Sequence, residues 1–399
     1  MTSLHPAPPR HRRPVRPLRI AMLGDSDATA DRDARSTAAV EIGRRLVRHG
    51  HDVTVYGSAA PSDGHGLRQV RLPQAGGTAL AALHLLARRR HDVAVVFGTA
   101  HAPLVPLIRS RGTAVAVHID ALEWARNRSD DPGRRWARAA ERLAIREADV
   151  VVADAHGIED HLDDRFGLPT DVITYGAPVV HHVPTDLLEP LGLVPGHFHL
   201  AVARFAPEHH IDTIVEGYHR SDAHHPLVVV GDVPATGPIP ASVRHLAAID
   251  GRIRLLGATR DERLLDQLHA HAAAHVHGHS IGAADPVLLR AMGAGTAVLA
   301  WDVAANREVV GTGGSFFSSP AQAARRIEEV ERYPFRFRDL GELMQERARL
   351  RFDWDVVTEQ YEALAARLSR GWSTHRMSTG GRVDPAAVLV PTRAEAHRG

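Results

Sequence analysis

The sequence contains no cysteine and no lysine, and all 48 basic residues in the 399-residue chain are arginine. The absence of cysteine excludes disulfide scaffolds, thiolate nucleophiles and cysteine zinc sites, and it fits a cytoplasmic protein. The absence of lysine excludes a Schiff-base lysine and a lysine phosphate clamp. Arginine, histidine or backbone amides must therefore hold any bound phosphate.

An excess of charge of one sign is also missing, and so is a long hydrophobic run. The 48 basic residues nearly balance 47 acidic ones, which argues against a dedicated nucleic-acid binder. The most apolar stretch, Thr78 to Ala87, contains His84 and is about half the roughly 20 residues of a transmembrane helix. With 44% hydrophobic and 24% charged residues, the chain is expected to be a folded, water-soluble protein of two domains.

Short apolar runs alternate with segments of helical period along most of the chain. Strands are predicted at residues 18–24, 52–56, 92–97, 113–118 and 149–153, and again at 199–203, 226–231, 252–256, 275–277 and 297–301. Helices are predicted near 36–50, 133–148, 339–351 and 355–370, with another that ends at 87–90. The alternation predicts an α/β protein with two doubly wound, Rossmann-like parallel sheets. The carboxyl ends of their strands would face a common cleft, where such sheets bind ligands.

Changes in composition give the predicted domain boundaries. The predicted units are a disordered basic tail at 1–17, an acceptor-side domain at 18–180, a proline-rich linker at 181–197, a donor-nucleotide domain at 198–338, C-terminal helices at 339–372 that pack back across the domains, and a disordered tail at 373–399. The first tail lacks the apolar region of a secretory signal.

The stretch from His277 to Gly311 joins a strand, a loop, a helix and a strand. Asp285 followed by Pro286 predicts a helix N-cap with proline at the first helical position. The positive end of this helix would face the cleft and suit an anion such as a nucleotide diphosphate. His277 and His279 face the same side of an extended backbone, a geometry that suits sugar or phosphate contact and also metal ligation. We favour sugar or phosphate contact because no third metal ligand is evident at suitable spacing.

Six segments between about Ile20 and Trp372 form a family pattern through their order and spacing. They are HIDALEWAR from His118, ADAHGIEDHL from Ala153, YGAP from Tyr175, ARFAPEHHI from Ala203, the His277 to Gly311 stretch, and FDWDVVTEQYEAL from Phe352. In these segments the chain resembles the retaining GT-B glycosyltransferases of family 4, and most closely their bacterial rhamnosyltransferase-like branch.

The resemblance implies a hexosyltransferase-type enzyme of polysaccharide biosynthesis with a nucleotide-sugar donor, for which dTDP-linked rhamnose is one candidate. The donor would bind mainly to the C-terminal domain, and a glycan or lipid-linked acceptor mainly to the N-terminal domain. No metal or other cofactor is implied, and no nucleic acid partner. The implied location is cytoplasmic, with peripheral contact at the inner face of the membrane as an option.

The resemblance also assigns donor-site residues. Arg204 falls where the family places an arginine on the donor diphosphate, and its charge would stabilise the leaving group. His209 stands where relatives commonly have a lysine, so His209 and His210 either contact phosphate or lie in a solvated loop. Glu308 matches a family residue and would hold a ribose or sugar hydroxyl. The remaining donor-side candidates are Gly24, His277, His279, Ser280, Gly282 and Ala283.

Arg290 is the main departure from the family pattern, which has a glutamate there that binds the donor ribose. A guanidinium cannot accept hydrogen bonds from ribose hydroxyls. Arg290 either adds positive charge near the diphosphate or marks a weakened donor site. The sequence is therefore interpreted as a glycosyltransferase, with a catalytically degenerate GT-B protein that binds a sugar nucleotide or a partner as the alternative. A sugar-nucleotide epimerase ranks last because no matching segments are present.

On the acceptor side, Asp120 and Glu123 follow a strand and are expected to accept hydrogen bonds from sugar hydroxyls. Asp120 is equally compatible with capping the following helix. Trp124 is interpreted as packing between the domains, with stacking on a sugar face as the alternative. No general base is nominated, because in the family the donor phosphate is thought to take the acceptor proton. The arginine-rich segment from Arg134 to Arg146 is interpreted as a solvated face, with contact to an anionic lipid-linked acceptor as the alternative. The acidic loop after Gly24 differs from that of the relatives, so acceptor identity is not carried over.

Overall fold

The chain folds into two α/β domains, each built on a parallel sheet. The computed structural model describes residues 16–24, 34–57, 66–72, 77–87, 90–120, 132–231, 239–259, 261–282 and 284–374. The strands of the first sheet are β1 (Arg19–Leu23), β2 (Asp52–Gly57), β3 (Arg68–Arg71), β4 (Val93–Phe97), β5 (Ala114–Ile119), β6 (Val150–Ala153) and β7 (Asp171–Val172). They lie in the order β3-β2-β1-β4-β5-β6-β7.

The second sheet repeats this plan with six parallel strands. They are β8 (His199–Val202), β9 (Leu227–Val230), β10 (Ile253–Gly257), β11 (Ala274–His277), β12 (Val298–Trp301) and β13 (Ser315–Phe317), in the order β10-β9-β8-β11-β12-β13. In both sheets the strand order reverses beside the first strand, between β1 and β4 and between β8 and β11. A ligand crevice is expected at the carboxyl ends of these strands. The pair of doubly wound sheets confirms the predicted α/β architecture.

Helices flank both sheets. The first domain has α1 (Ala34–Arg48), α2 (Gly77–Ala87), α3 (Val105–Ser110), α4 (Pro132–Glu147) and α5 (His156–Phe166). The second part of the chain has α6 (Ile211–His219), α7 (Ala241–Ile249), α8 (Glu262–His271), α9 (Pro286–Gly293), α10 (Ala304–Val310), α11 (Pro320–Arg332), α12 (Pro334–Arg351) and α13 (Trp354–Ser369). In the described ranges, no helix combines the length and the apolar character needed to cross a bilayer.

Three short edge strands and one helix start differ from the prediction. Strand β3 reads Arg-Gln-Val-Arg and is exposed at both ends, while β7 and β13 have only two and three residues. Strands this short carry no detectable apolar run, so pairing in the sheet and not local sequence defines them. Helix α12 begins at Pro334, five residues before the predicted start at 339, because proline is well suited to the first helical position.

The last helix, α13, packs against the first domain. Its buried residues Trp354, Tyr361 and Leu364 belong to the same apolar cluster as Ile20 of β1 and Ile42 of α1. Polar contacts support this packing in the first turn and in the middle of the helix. The carboxylate of Asp355 accepts a hydrogen bond from Arg45 at 2.8 Å, and Glu362 pairs with His49 and His51. The core of the first domain is therefore completed by the end of the chain.

Ordered packing continues slightly beyond α13, into the segment predicted as a tail from 373. Ser373 and Thr374 are buried, and the Thr374 backbone N–H donates to the Asp149 carbonyl at 2.8 Å. Most of the two predicted tails, residues 1–15 and 375–399, lies outside the described residues.

The chain segment between the domains packs tightly on α9. A Cβ atom at Gly293 would lie 2.1 Å from the Pro178 carbonyl oxygen, so this position has no room for a side chain. The Gly293 carbonyl accepts hydrogen bonds from the Val180 backbone N–H at 3.1 Å and from Gln345 Nε2 at 3.0 Å. These contacts hold α9, the interdomain segment and α12 together.

We expect Gly293→Ala to lower the free energy of unfolding by about 1 to 3 kcal/mol. The added Cβ would clash with the Pro178 carbonyl oxygen, and the backbone would have to shift to relieve the clash. The matched control is Gly157→Ala in α5, where an added Cβ meets no atom within 4 Å and alanine is the better helix former. Denaturant unfolding of the two variants and the parent chain measures the difference. Equal stability of the two variants would contradict the close packing at Gly293.

Candidate active site

A cavity of about 1090 Å³ lies between the two domains. Its size is at the upper end of the range for sites that enclose a small molecule. Arg35, Asp120 and Tyr175 line it from the first domain, whereas Arg204 and Asp285 line it from the second. The cavity lies where the carboxyl ends of the two sheets face each other, as the sequence predicts for a ligand site.

The predicted site residues divide into two groups by position. Those on the cavity wall are Asp120, Arg204, His209, His279, Gly282 and Arg290. Gly24, His277, Ser280 and Glu308 lie off the wall that the described residues form. Ala283, Glu123, Trp124 and the acidic loop at 25–33 are outside the described residues.

Arg204 lies two residues after strand β8, and its side chain is exposed to the cavity. Within the described ranges its guanidinium forms no ion pair or hydrogen bond with another side chain. Arg35 and Arg290, which also line the cavity, both bind carboxylates. Arg204 is therefore positioned to bind an incoming anion.

The helix N-terminus at α9 is occupied by its own cap. The Oδ1 atom of Asp285 accepts hydrogen bonds from the backbone N–H groups of Val287 and Leu288, and Oδ2 lies 2.6 Å from Nδ1 of His279. Burial alone would raise the pKa of Asp285, but the hydrogen bond from His279 and nearby histidines hold it well below the usual range. The carboxylate thus takes the amides that were predicted to face an anion, so a ligand phosphate must use other groups.

Two imidazoles form the wall next to this cap. The rings of His209 and His279 lie with centroids 4.4 Å apart, and the Nε2 atom of each is buried without a hydrogen-bond partner. Burial lowers the pKa of His209 to about 3, with further lowering from His279, so this ring is neutral at physiological pH. Because His279 uses Nδ1 to bind Asp285, its Nε2 is the atom that a ligand would contact. The unpartnered nitrogens mark places where polar ligand atoms or water would be stabilised.

A row of buried histidines extends from His279 into the second domain. Ring centroids are 6.3 Å apart between His279 and His277, 5.7 Å between His277 and His275, and 5.0 Å between His275 and His269. Burial lowers the pKa of His277 to about 4 and that of His275 to about 3. His277 therefore belongs to the protein interior and not to the cavity surface. In the described residues, His277 and His279 belong to no group of three donor atoms that lie within 4.8 Å of one another, so the alternative of a metal there gains no support.

The loop residues His210 and Ser280 face away from the cavity. His210 stacks on Trp301 with ring centroids 3.6 Å apart, and its Nε2 lies 3.1 Å from Ser280 Oγ. The Ser280 hydroxyl donates to the Glu208 carbonyl. Neither of the two roles predicted for His210 matches this stacked position. Gly282, which does line the cavity, has φ +95°, a conformation that favours glycine.

Arg290 binds two carboxylates of the neighbouring helix α8. Its Nε donates to Asp266 Oδ1 at 3.1 Å, and its Nη2 donates to Glu262 Oε2. Glu262 itself lines the cavity. The guanidinium is therefore held beside a carboxylate on the same wall. Sequence reasoning missed Glu262, although an acidic residue near the start of the segment between the predicted strands at 252–256 and 275–277 was an available signal.

Asp120 is held by two residues that sequence reasoning did not assign to the site. Arg35 donates to both carboxylate oxygens, at 2.8 and 2.9 Å, and the Tyr175 hydroxyl donates to Oδ2 at 3.0 Å. Burial alone would raise the pKa of Asp120, but the charge and hydrogen bonds of Arg35 keep it well below the usual range. The helix that Asp120 was expected to cap is outside the described residues. The ion pair fixes the carboxylate on the first-domain wall of the cavity.

Two carboxyl groups connect the domains beside the cavity. Asp154, after β6, accepts the backbone N–H of Tyr175 at 2.8 Å and that of Ala284 in the second domain at 2.9 Å. In the opposite direction, Glu308 of α10 accepts the backbone N–H of His156, the first residue of α5, at 3.0 Å. A carboxylate at a helix N-terminus is electrostatically favourable. The structure thus places Glu308 in an interdomain contact, and its binding of a ribose or sugar hydroxyl stays a prediction.

Two family models match parts of the chain. Residues 197–332 match the model described as Glycosyl transferases group 1, and residues 93–178 match a domain of unknown function, DUF1972. No curated protein sequence matches the chain. The first match covers most of the second domain, including its wall of the cavity. It confirms the prediction that the chain is a glycosyltransferase.

Solved structures share the two-domain fold at low sequence identity. Sucrose-phosphate synthase from Thermosynechococcus elongatus is 16% identical with a TM-score of 0.73, and the alignment covers 88% of this chain and 99% of that one. HepE from Anabaena in complex with UDP-glucose is 17% identical with a TM-score of 0.71, covering 88% and 100%. The trehalose 6-phosphate synthase of Burkholderia multivorans is 13% identical with a TM-score of 0.66, covering 90% and 100%. These likenesses confirm the predicted GT-B fold.

The buried histidine row predicts a steep loss of stability in acid. Burial lowers the folded-state pKa of His209, His269, His275 and His277, whereas the same rings titrate near 6.5 in the unfolded chain. Below pH 6.5 these four rings therefore bind more protons in the unfolded chain, up to about four more at pH 5, and the free energy of unfolding falls as pH drops from 7 to 5. Urea unfolding at several pH values measures this dependence.

Replacing one histidine of the row measures how much that residue contributes to the proton uptake on unfolding. We expect His275→Phe to reduce the proton uptake on unfolding by about one at pH 5, because both nitrogens of His275 are buried without partners. The exposed His224, replaced as His224→Gln, provides the control and should leave the uptake unchanged. An unchanged pH dependence in His275→Phe would show that His275 is already charged in the folded protein.

Proposed function

We propose that this chain is a family 4 enzyme that transfers a sugar from a nucleotide diphosphate donor with retention of configuration. The proposal starts from the match of residues 197–332 to the glycosyltransferase group 1 model. The donor would lie in the interdomain cavity against the second domain. Rhamnose from a dTDP-linked donor is the specific candidate, because the sequence resembles the rhamnosyltransferase-like branch. The acceptor would be a glycan or a lipid-linked glycan bound from the first domain.

The observation that carries this proposal is the position of Arg204 beside His209 and His279 on one wall of the cavity. An arginine without a carboxylate partner in the described part of the chain suits a diphosphate, since guanidinium binds phosphate oxygens in a fork. The two unpartnered Nε2 atoms provide polar contacts for the sugar or phosphate. In the absence of lysine, this set supplies the groups that a donor anion needs. HepE, which has this fold, is seen with UDP and with UDP-glucose, which supports a nucleotide-sugar ligand.

The arrangement also suggests how each wall would act in transfer. Arg204 would stabilise the negative charge that grows on the diphosphate as the bond between sugar and phosphate breaks. This contact lowers the activation barrier because it is stronger in the transition state, where the charge is larger, than in the bound donor. Asp120, held ionised by Arg35, would accept a hydrogen bond from a hydroxyl group and position it. The acceptor proton would pass to the departing phosphate, so no side chain is assigned as general base. No metal is assigned to this cavity.

Acceptor binding is proposed for the first-domain wall. Helix α4 carries Trp136, which lines the cavity and is 56% exposed. Its flat apolar ring suits the face of a sugar, while arginines Arg134, Arg135 and Arg138 on the same helix suit an anionic lipid-linked group. This combination supports a lipid-linked acceptor and a peripheral location at the inner face of the membrane.

The second candidate function is a GT-B protein that binds a sugar nucleotide without turning it over. The observation in its favour is Arg290, which stands where the family pattern has a ribose-binding glutamate and is bound to Glu262 and Asp266. Incubation with dTDP-, UDP-, GDP- and ADP-sugars, with and without glycan acceptors, separates the two functions. Two results together support the retaining transferase. Nucleotide is released only when acceptor is present, and the transferred sugar has the same anomeric configuration in the product as in the donor. Binding without release supports the second candidate, and an epimerised sugar without acceptor contradicts both.

Arg204→Ala should weaken the binding of dTDP or UDP at least tenfold and change the binding of the free sugar little, because the lost group contacts the diphosphate. This corresponds to at least about 1.4 kcal/mol of binding free energy. Isothermal titration calorimetry with nucleoside diphosphate, nucleoside monophosphate and free sugar gives the comparison. Arg244→Ala, which removes an arginine of α7 that is not on the cavity wall, is the control. If the binding of all three ligands were weakened equally, Arg204 would not be the residue that contacts the diphosphate.

Arg290→Glu should lower the thermal stability of the protein and fail to improve nucleotide binding. The new carboxylate would lie beside Glu262 and Asp266, and like charges at this distance repel. The double variant Arg290→Glu with Glu262→Arg reverses the ion pair, so it should recover most of the lost melting temperature. Thermal unfolding and nucleotide calorimetry on the single and double variants test this. A single variant that is as stable as the parent and binds nucleotide more tightly would instead show that Arg290 had closed the donor site.

A further inference from the structure

A second cluster of polar side chains lies in the second domain, at the end of the sheet opposite to the cavity. His199 begins β8, His225 lies just before β9, and Glu331 lies near the end of α11. In the described part of the chain, these three residues bring one donor atom each to within 4.8 Å of one another. The Nε2 atom of His199 is 3.1 Å from Glu331 Oε1, and Nδ1 of His225 is 3.9 Å from the same oxygen.

The three donor atoms match the requirements of a tetrahedral zinc ion. Nitrogen and oxygen ligands lie about 2.0 to 2.2 Å from zinc, so neighbouring ligands of a tetrahedral site are roughly 3.3 to 3.6 Å apart. The two measured separations, 3.1 and 3.9 Å, lie on either side of that range. Two histidines and a glutamate also form one of the recurrent ligand sets for zinc, with a fourth position for water. The ring of His197 lies 4.9 Å from that of His225.

Burial and hydrogen bonding give an independent reason to expect a ligand here. The His199 side chain is fully buried, and Nδ1 of His225 is buried without a hydrogen-bond partner. A buried polar atom without a partner is costly, so a bond from His225 Nδ1 to a cation would remove that cost. The Glu331 carboxylate is held by the backbone N–H groups of His224 and His225 at 2.8 to 3.0 Å. Hydrogen bonds of this kind orient the carboxylates that bind metals.

We propose that His199, His225 and Glu331 form a zinc site that joins strand β8, the segment before β9 and helix α11. On binding, Zn²⁺ takes the place of the hydrogen bond between His199 Nε2 and Glu331. The His199 ring stays neutral and carries its one proton on Nδ1, so the ring loses no proton. The three ligands belong to segments far apart in the sequence, so the ion acts as a crosslink within the second domain. The site is separate from the transfer cavity, and it does not depend on the function proposed for that cavity.

The test is Zn²⁺ binding to the full chain, measured by competition with a chromophoric chelator and by thermal unfolding. The parent protein should bind one Zn²⁺ ion more tightly than the rest of its histidine-rich surface does, with a rise in melting temperature, since a ligand of the folded state stabilises it. His225→Gln should lower the affinity of this site at least tenfold and remove the rise in melting temperature. Glu331→Gln should do the same.

His224→Gln is the matched control, because it removes an exposed neighbouring imidazole and keeps the backbone N–H that binds Glu331. Circular dichroism without zinc checks that every variant is folded, and the partly exposed His225 is chosen over the buried His199 for this reason. Retained tight binding in His224→Gln and lost binding in His225→Gln support the site. Equal affinity in the parent and His225→Gln, or equal losses in His224→Gln and His225→Gln, would overturn it.

Discussion

The carboxyl group of Asp154 fixes how the two halves of this molecule meet. It is fully buried and receives one backbone N–H from each domain, through Tyr175 and Ala284. Only 1% of Asp154 is exposed to solvent, and this burial raises the pKa of its carboxyl group well above the usual range. Because Tyr175 also binds Asp120, the same short stretch of chain connects the domain contact to the first-domain wall of the cavity. The reciprocal bond from His156 to Glu308 adds a second point of attachment, so the spacing of the two walls follows from two backbone contacts and not from side-chain packing alone.

Because the chain has no lysine, the positive charge near the cavity comes from arginine and histidine, and the arginines there differ in whether a carboxylate neutralises them. Arg35 and Arg290 are neutralised by carboxylates, while Arg204 keeps its charge directed at the cavity. The N-terminus of α9 adds less positive potential than its position suggests, because the Asp285 carboxylate already occupies its first amides. The positive potential on the second-domain wall is therefore concentrated at one side chain. The neutral imidazole of His209 next to it provides a hydrogen-bonding group without additional charge.

The sequence predicts the fold well because the buried strands are continuous apolar runs that parallel sheets require. Runs such as Val93–Phe97 and Val150–Ala153 are buried throughout, whereas edge strands such as Ser315–Phe317 depend on their neighbours. For the site, chain order places Arg204, His209 and His279 at strand ends, which is enough to predict that they lie at the cleft. It does not reveal their partners. The pairs Arg35–Asp120 and Glu262–Arg290 join residues that are 85 and 28 positions apart, and only the folded chain brings such groups within hydrogen-bond distance.

The packing of α13 on α1 and β1 has a consequence for the order in which the protein is made. Trp354, Tyr361 and Leu364 complete the same apolar core that Ile20 and Ile42 begin. The first strand and the first helix of the first domain leave the ribosome more than three hundred residues before α13 does. Until α13 is synthesised, that face of the nascent domain remains exposed to solvent and to chaperones. The first domain therefore reaches its final packing only after the sheet of the second domain has been synthesised, although the strands of its own sheet are available long before.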